Sequence, residues 1–204
     1  MSVATTEEVL VLDFGGQYSQ LIARRIRECG VFAELMPATT SLETILGRDP
    51  KALVLSGGPA SVHDPGAPSF PERLLDLHMP ILGICYGMQA MAKDLGGRVE
   101  VAEKGEFGRT DLTVVGDGGT LLGGLPREQT CWMSHRDSVF GAPPGFEPIA
   151  ASPGSPVAAL ENHEKGLYGI QFHPEVVHTP FGTEVLNLSL IHISEPTRLN
   201  STSR

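Results

Sequence analysis

The segment Gly83-Ile84-Cys85-Tyr86-Gly87 sets a thiol between two glycines, at the close of the apolar run Pro80–Ile84 and just before a helical pattern. A nucleophile carried on a sharp strand-to-helix turn needs small neighbours, because the chain must fold back on itself through a strained backbone. Such a turn presents the thiol at the C-terminal edge of an α/β sheet, where ligands bind, and the helix N-terminus favours the thiolate. A thiol nucleophile needs a base, and His173 in Gly169-Ile-Gln-Phe-His173-Pro-Glu175 is the candidate. Strand alternation would set positions 173 and 175 on one side, so that the Glu175 carboxylate holds the imidazole tautomer whose other nitrogen faces the thiol. Cys85, His173 and Glu175 therefore make a nucleophile, a base and its orienter. Acyl chemistry also needs donors for an oxyanion, and Gly58 in Leu55-Ser-Gly-Gly-Pro59 and the amide of Tyr86 are the candidates.

Other glycine-rich turns carry less. Ser56-Gly57-Gly58 also begins the phosphate loop of ATP pyrophosphatases, but Pro59 removes a donor and no Asp-Ser follows; a plain glycine turn stays open as a reading. Gly15-Gly16-Gln17 lacks the third glycine of a dinucleotide loop. Cys29 and Cys131 have no such turn, and His63, His78, His163, His178 and His192 have no chemical context, so all are read as structural.

The elements that must position these residues follow from pattern. Val9–Leu12, Ala52–Leu55 and Pro80–Ile84 are short continuous apolar runs, as strands covered on both faces require. Val31–Met36 reads as a further strand, and helical patterns run over Tyr18–Cys29 and Gly87–Leu95, the latter stopped by Gly96-Gly97. Ser41–Thr44 would cap a short helix, with the serine hydroxyl and a carboxylate satisfying each other's amides. Strands alternating with helices argue for a parallel sheet with right-handed crossovers. Beyond Arg98 the β-like pieces Phe107–Val115, Val157–Glu161 and Leu167–Phe172 read as an antiparallel extension and a return to the main sheet. A terminal helix begins at Pro180 and reaches Leu190; Ile191–Arg204 is polar, aperiodic and expected to be a disordered tail foreign to the domain.

Composition removes several functional classes. With 204 residues the chain suits one domain with a sizeable core. A net charge of −9 with no basic run argues against nucleic acid. No stretch approaches the ~20 apolar residues that span a bilayer, and Met1–Glu8 has no signal-peptide character, so the cytoplasm is the expected address. Three widely spaced cysteines suggest neither disulfides nor a zinc cluster.

The segments Gly83-Ile-Cys-Tyr-Gly-Met-Gln89 and His173-Pro-Glu175 resemble the two signatures of the class I (triad) glutamine amidotransferases, in the family's order. Leu12–Arg25, Ser56–Val62, Trp132-Met-Ser-His135 and Gln171–Thr179 are similar to the amidotransferase half of the GMP synthetase branch of that family, across about Val9–Leu188. Pattern and resemblance together lead to an α/β fold: a single three-layer domain over residues 9–190, with a mostly parallel central sheet, a nucleophile elbow and a small antiparallel extension. The resemblance implies that Cys85 attacks the side-chain amide of L-glutamine, that His173 shuttles the proton and that Glu175 holds His173. It further implies that the Gly58 and Tyr86 amides stabilise the oxyanion. Gln89 and the backbone of Ser134 and His135 would hold the ends of glutamine. No metal or cofactor is implied in this domain; ATP and magnesium would belong to a partner ATP-pyrophosphatase synthetase domain or subunit, which aminates XMP to GMP. The isolated domain is expected to be slow until such a partner, with nucleotide bound, switches it on. The chain departs from the family at Arg136, where a glycine is usual, and the cation is expected to disturb glutamine binding. A thiol hydrolase acting on γ-glutamyl bonds, or a non-catalytic module binding a synthetase partner, remain alternatives.

Overall fold

The computed structural model describes residues 8–194. In chain order the elements are β1 (Glu8–Asp13), α1 (Ser19–Glu28), β2 (Phe32–Pro37), α2 (Leu42–Gly47), β3 (Ala52–Leu55), a 3-10 turn (Leu74–Asp76), β4 (Ile81–Ile84) and α3 (Tyr86–Asp94). There follow β5 (Arg98–Val114), α4 (Gly119–Leu122), β6 (Glu128–Gly141), β7 (Glu147–Ser152), β8 (Ser155–Asn162), β9 (Leu167–Ile170) and α5 (Gly182–Ser194). One nine-stranded sheet runs in the order β2-β1-β3-β4-β9-β8-β7-β5-β6.

The apolar runs become the centre of this sheet. β3, β4 and β9 are buried at every residue, which is why they carry no polar alternation. β1 pairs in parallel with β2 and β3, β3 with β4, and β4 with β9, so the last of these strands returns beside the nucleophile strand. Helices cover both faces. Ile22, Ala23 and Ile26 of α1 and Val185 and Leu186 of α5 pack on one side; Ile45 of α2 and Met88, Met91 and Ala92 of α3 pack on the other. This is the expected three-layer α/β arrangement. No helix among the described residues is long and apolar enough to cross a membrane.

Three expectations need correction. The antiparallel extension is not small: β8, β7, β5 and β6 add four strands, and the residue pattern gives no sign of β6 or β7. β6 alternates as a strand should, but its inward positions include Gln129 and His135, so polar residues on the buried face hide the period. The cap of α2 is formed by Ser41 Oγ, which accepts from Thr44 N at 3.2 Å, but its second partner is the Thr44 hydroxyl at 2.8 Å and not a carboxylate. The terminal helix runs on to Ser194, past the expected boundary at Leu190, so residues 191–194 are helical and not a disordered tail. A proline disfavours helical backbone at the residue before it, so Pro196 allows a helix to reach position 194. The remaining tail, from residue 195, lies outside the described residues.

Candidate active site

Cys85 joins β4 to α3 in a backbone conformation of φ 52° and ψ −107°, outside the regions that non-glycine residues favour. The surroundings over-determine it. Cys85 N donates to Ile170 O of β9 at 2.8 Å, and Gly87 N donates to Ser56 O at 3.1 Å. A Cβ at Gly83 would stand 2.7 Å from Met88 N, and one at Gly87 would stand 2.6 Å from Leu55 Cβ, so the chain can turn this sharply only with glycine at both places. The elbow read from Gly83–Gly87 is therefore present, with the thiol buried at the N-terminus of a nine-residue helix.

His173 and Glu175 lie beyond β9, in the turn that follows it, so strand alternation is not what joins them. The turn itself is clamped: His173 N donates to Trp132 O at 2.9 Å, Thr179 Oγ1 donates to His173 O at 2.7 Å, and Trp132 N donates to Thr179 Oγ1 at 3.0 Å. Within it His173 Nδ1 meets Glu175 Oε1 at 2.7 Å, and Glu175 is fully buried. Glu175 Oε2 has no hydrogen-bond partner among the described residues, so the imidazole is the one side chain that meets this carboxylate there. Tyr18 packs edge-on to the His173 ring, with centroids 5.2 Å apart.

The thiol and the imidazole share one wall. A Cβ built at Gly57 would lie 3.1 Å from His173 Cε1 and 3.6 Å from Cys85 Cβ, so both side chains flank the same glycine. The Cys85 thiol donates to Ser134 O, 3.7 Å away, and its interaction with His173 is felt in the imidazole's basicity. Burial disfavours charge on His173, but hydrogen bonding and charge from Cys85 and Glu175 outweigh it and push the imidazole up to about 10. By contrast, burial pushes the Cys131 thiol up to about 12, as a structural role requires.

These residues open on a cavity of about 680 Å³, lined among others by Gly57, Gly58, Cys85, Gln89, Ser134 and His173. No acceptor within the described protein meets the N–H of Gly58 or of Tyr86, so two backbone donors stand free beside the thiol. Gln89 is buried, and its Nε2 is committed to Asp137 O at 2.6 Å and Gln171 Oε1 at 3.1 Å. His135 turns its side chain away from the cavity: Nε2 meets Glu106 Oε2 at 3.0 Å and Nδ1 meets Asp137 O at 2.9 Å, which leaves its backbone in the wall. Arg136 lines the mouth with ordinary negative φ, so this position does not demand glycine here. Glu106 carries no pattern in the sequence, because it is a lone polar residue whose partners His135, Ser152 and Gly154 lie far along the chain; Gln171, Ser56 and Ser19 fall inside segments that the sequence singles out, but nothing there marks these side chains as partners of Gln89, of Phe14 N or of each other.

A family profile for glutamine amidotransferase class-I matches residues 10–193. The chain is 58% identical over 179 residues to a GMP synthase (glutamine-hydrolyzing) of Mycobacterium leprae (strain Br4923), covering 88% of this chain and 34% of that protein. It is 57% identical over 179 residues to the protein so named in Mycobacterium tuberculosis (strain ATCC 25618 / H37Rv), with the same coverage. The chain thus spans about a third of the length of the curated relatives it matches. Among solved structures, a Thermoplasma acidophilum protein provisionally described as a subunit of GMP synthase superposes with a TM-score of 0.83 at 30% identity, covering 94% of this chain and 96% of that one. A glutamine amidotransferase of Thermotoga maritima, at 19% identity and a TM-score of 0.65, shares the fold, covering 93% of this chain and 97% of that one.

Proposed function

Because the chain belongs to the glutamine amidotransferase class-I family, we propose that it hydrolyses L-glutamine to glutamate and ammonia and serves as the ammonia donor for GMP synthesis. The observation that carries this reading is one wall holding a strained, glycine-flanked thiol, a carboxylate-bound imidazole and two unpaired amide donors.

Cys85 passes its proton to His173 and its sulfur attacks the γ-carbonyl carbon of glutamine, forming the C–S bond while the carbonyl oxygen takes the electron pair. The amides of Gly58 and Tyr86 stabilise that oxyanion. His173 gives its proton to the amide nitrogen, the C–N bond breaks, ammonia leaves and a glutamyl thioester remains. His173, now neutral, accepts a proton from the attacking water; the C–S bond breaks, the departing sulfur takes that proton back from His173, and glutamate is released. Glu175 holds the imidazole at Nδ1 throughout, which leaves Nε2 for the proton transfers. Gln89 Oε1 and the backbone of Ser134 and His135 hold the amino and carboxylate ends of the substrate.

The names and lengths of the curated relatives support the destination of the ammonia: an ATP-pyrophosphatase synthetase domain or subunit that aminates XMP. ATP and magnesium act there, and the steps above use only groups of this domain. Three free thiols suit a reducing cytoplasm. The test is glutamine hydrolysis by the purified chain, alone and with a synthetase partner loaded with nucleotide. Activity falls to background in Cys85→Ala; equal rates in variant and parent refute the assignment.

A further inference from the structure

Next to the thiol lies a buried polar chain to which the proposed reaction assigns no role. Ser56 is fully buried, and its Oγ donates to the carbonyl of its own neighbour, Gly57, at 2.9 Å. The same oxygen accepts from Phe14 N at 3.0 Å and lies 3.1 Å from Ser19 Oγ. Ser19 Oγ is also 2.7 Å from Asp13 Oδ1, and a carboxylate is the stronger acceptor, so the Ser19 hydrogen goes there. Ser56 then keeps its own hydrogen for Gly57. Gly16 closes the other side: its Cα packs directly on the Gly57 carbonyl, and a Cβ there would collide with that oxygen.

A trans peptide unit carries its C=O and N–H on opposite sides. With the Gly57 carbonyl pinned between Ser56 Oγ and Gly16, the Gly58 N–H must point away from that wall, and it meets no acceptor within the described protein. Two successive glycines would otherwise leave this peptide free to rotate, since neither carries a side chain to hinder it. We propose that Ser56, supported by Ser19 and Asp13, is a positioning residue that locks the Gly57–Gly58 peptide so that the oxyanion donor is oriented before substrate arrives. The proposal deepens the glutaminase reading and rests on it. A donor contributes to rate only to the extent that it needs no reorganisation during the reaction.

The experiment compares Ser56→Ala and Ser56→Cys with the parent chain. Removing an oxyanion donor outright costs on the order of 100- to 1,000-fold in kcat, and here the donor stays but loses its lock, so Ser56→Ala lowers kcat about 10- to 100-fold. KM for glutamine stays within about twofold, because the ends of the substrate are held elsewhere and only the transition state loses a contact. Alkylation of Cys85 by iodoacetamide, which builds no oxyanion, keeps its parental rate. Ser56→Cys, nearly equal in size and still a weak donor, recovers part of the loss. A parental kcat in Ser56→Ala overturns the proposal. So does a parallel fall in kcat and alkylation, which would mean that the thiol itself was disturbed. If the parent turns over no glutamine, the functional reading fails and the lock is judged by the Ser56→Ala crystal structure: a Gly57 carbonyl rotated off Gly16 supports it, and an unmoved one refutes it.

Discussion

Replacing Cys85 by glycine should leave the protein more stable than replacing it by alanine, the reverse of the usual order. Both variants lose the sulfur, so its contacts cancel and the comparison isolates the backbone. At φ 52° and ψ −107° a Cβ is strained, and because this lies outside even the left-handed helical region the cost belongs near the upper end of the roughly 1–3 kcal/mol typical of such sites. Alanine keeps that strain and glycine relieves it. Against this, glycine gives the unfolded chain more freedom, worth about 0.4–1 kcal/mol. Cys85 is also 4% exposed, so losing the alanine methyl forfeits about 0.8 kcal/mol of burial. The balance favours Cys85→Gly by about 1 kcal/mol, or roughly 2–4 °C in Tm for a domain of this size. Urea unfolding of the two variants, at matched m-values, measures it. If Cys85→Ala equals or exceeds Cys85→Gly in stability, the turn is not strained and the argument from the elbow falls.

A helical glycine ordinarily gains stability on replacement by alanine, yet Gly87→Ala should lose about 1–3 kcal/mol, because the new methyl meets the Leu55 carbonyl and lies 2.6 Å from Leu55 Cβ; a higher urea midpoint would contradict this. Because the folded-state basicity of His173 is raised from 6.5 to about 10, its pair with Cys85 and Glu175 stabilises the fold in full below about pH 6.5 and loses that contribution as pH rises through about 10. The stability gap between parent and His173→Gln should therefore narrow from pH 6.5 to 10, and a flat gap would refute the coupling. Burial opposes charge on Glu106, but hydrogen bonds from His135, Ser152 and Gly154 N outweigh it and hold the carboxyl below its ordinary 4.5. Its contribution is present above that range and is lost as pH falls, so Glu106→Ala should cost about 3 kcal/mol at pH 7 and less in acid, read by denaturation at pH 7 and 4. A cost independent of pH would mean that the carboxylate charge has no part in it.

The sequence alone determined what is local. The buried strands β1, β3 and β4 stand out because a strand covered on both faces must be apolar throughout, and α1 and α3 because their faces repeat at helical spacing. The elbow is legible for the same reason: the need for small residues on both sides of Cys85 is met within five consecutive residues. The pairing of His173 with Glu175 is also within reach, since both sit in one short segment, although a turn and not a strand brings them together. Tertiary structure decided everything that depends on distant partners. β6 is hidden because His135 and Gln129 point inward, and whether a buried polar residue is tolerated depends on what waits for it, here Glu106 of β5 for His135 and Pro126 O for Gln129. The meeting of Cys85 with His173 follows from β9 pairing beside β4. The orientation of the Gly57–Gly58 peptide follows from Ser56, just after β3, meeting Gly16 and Ser19 at the turn that opens α1. Propensity and spacing act over a few residues, whereas hydrogen-bond satisfaction and strand order are properties of the packed whole.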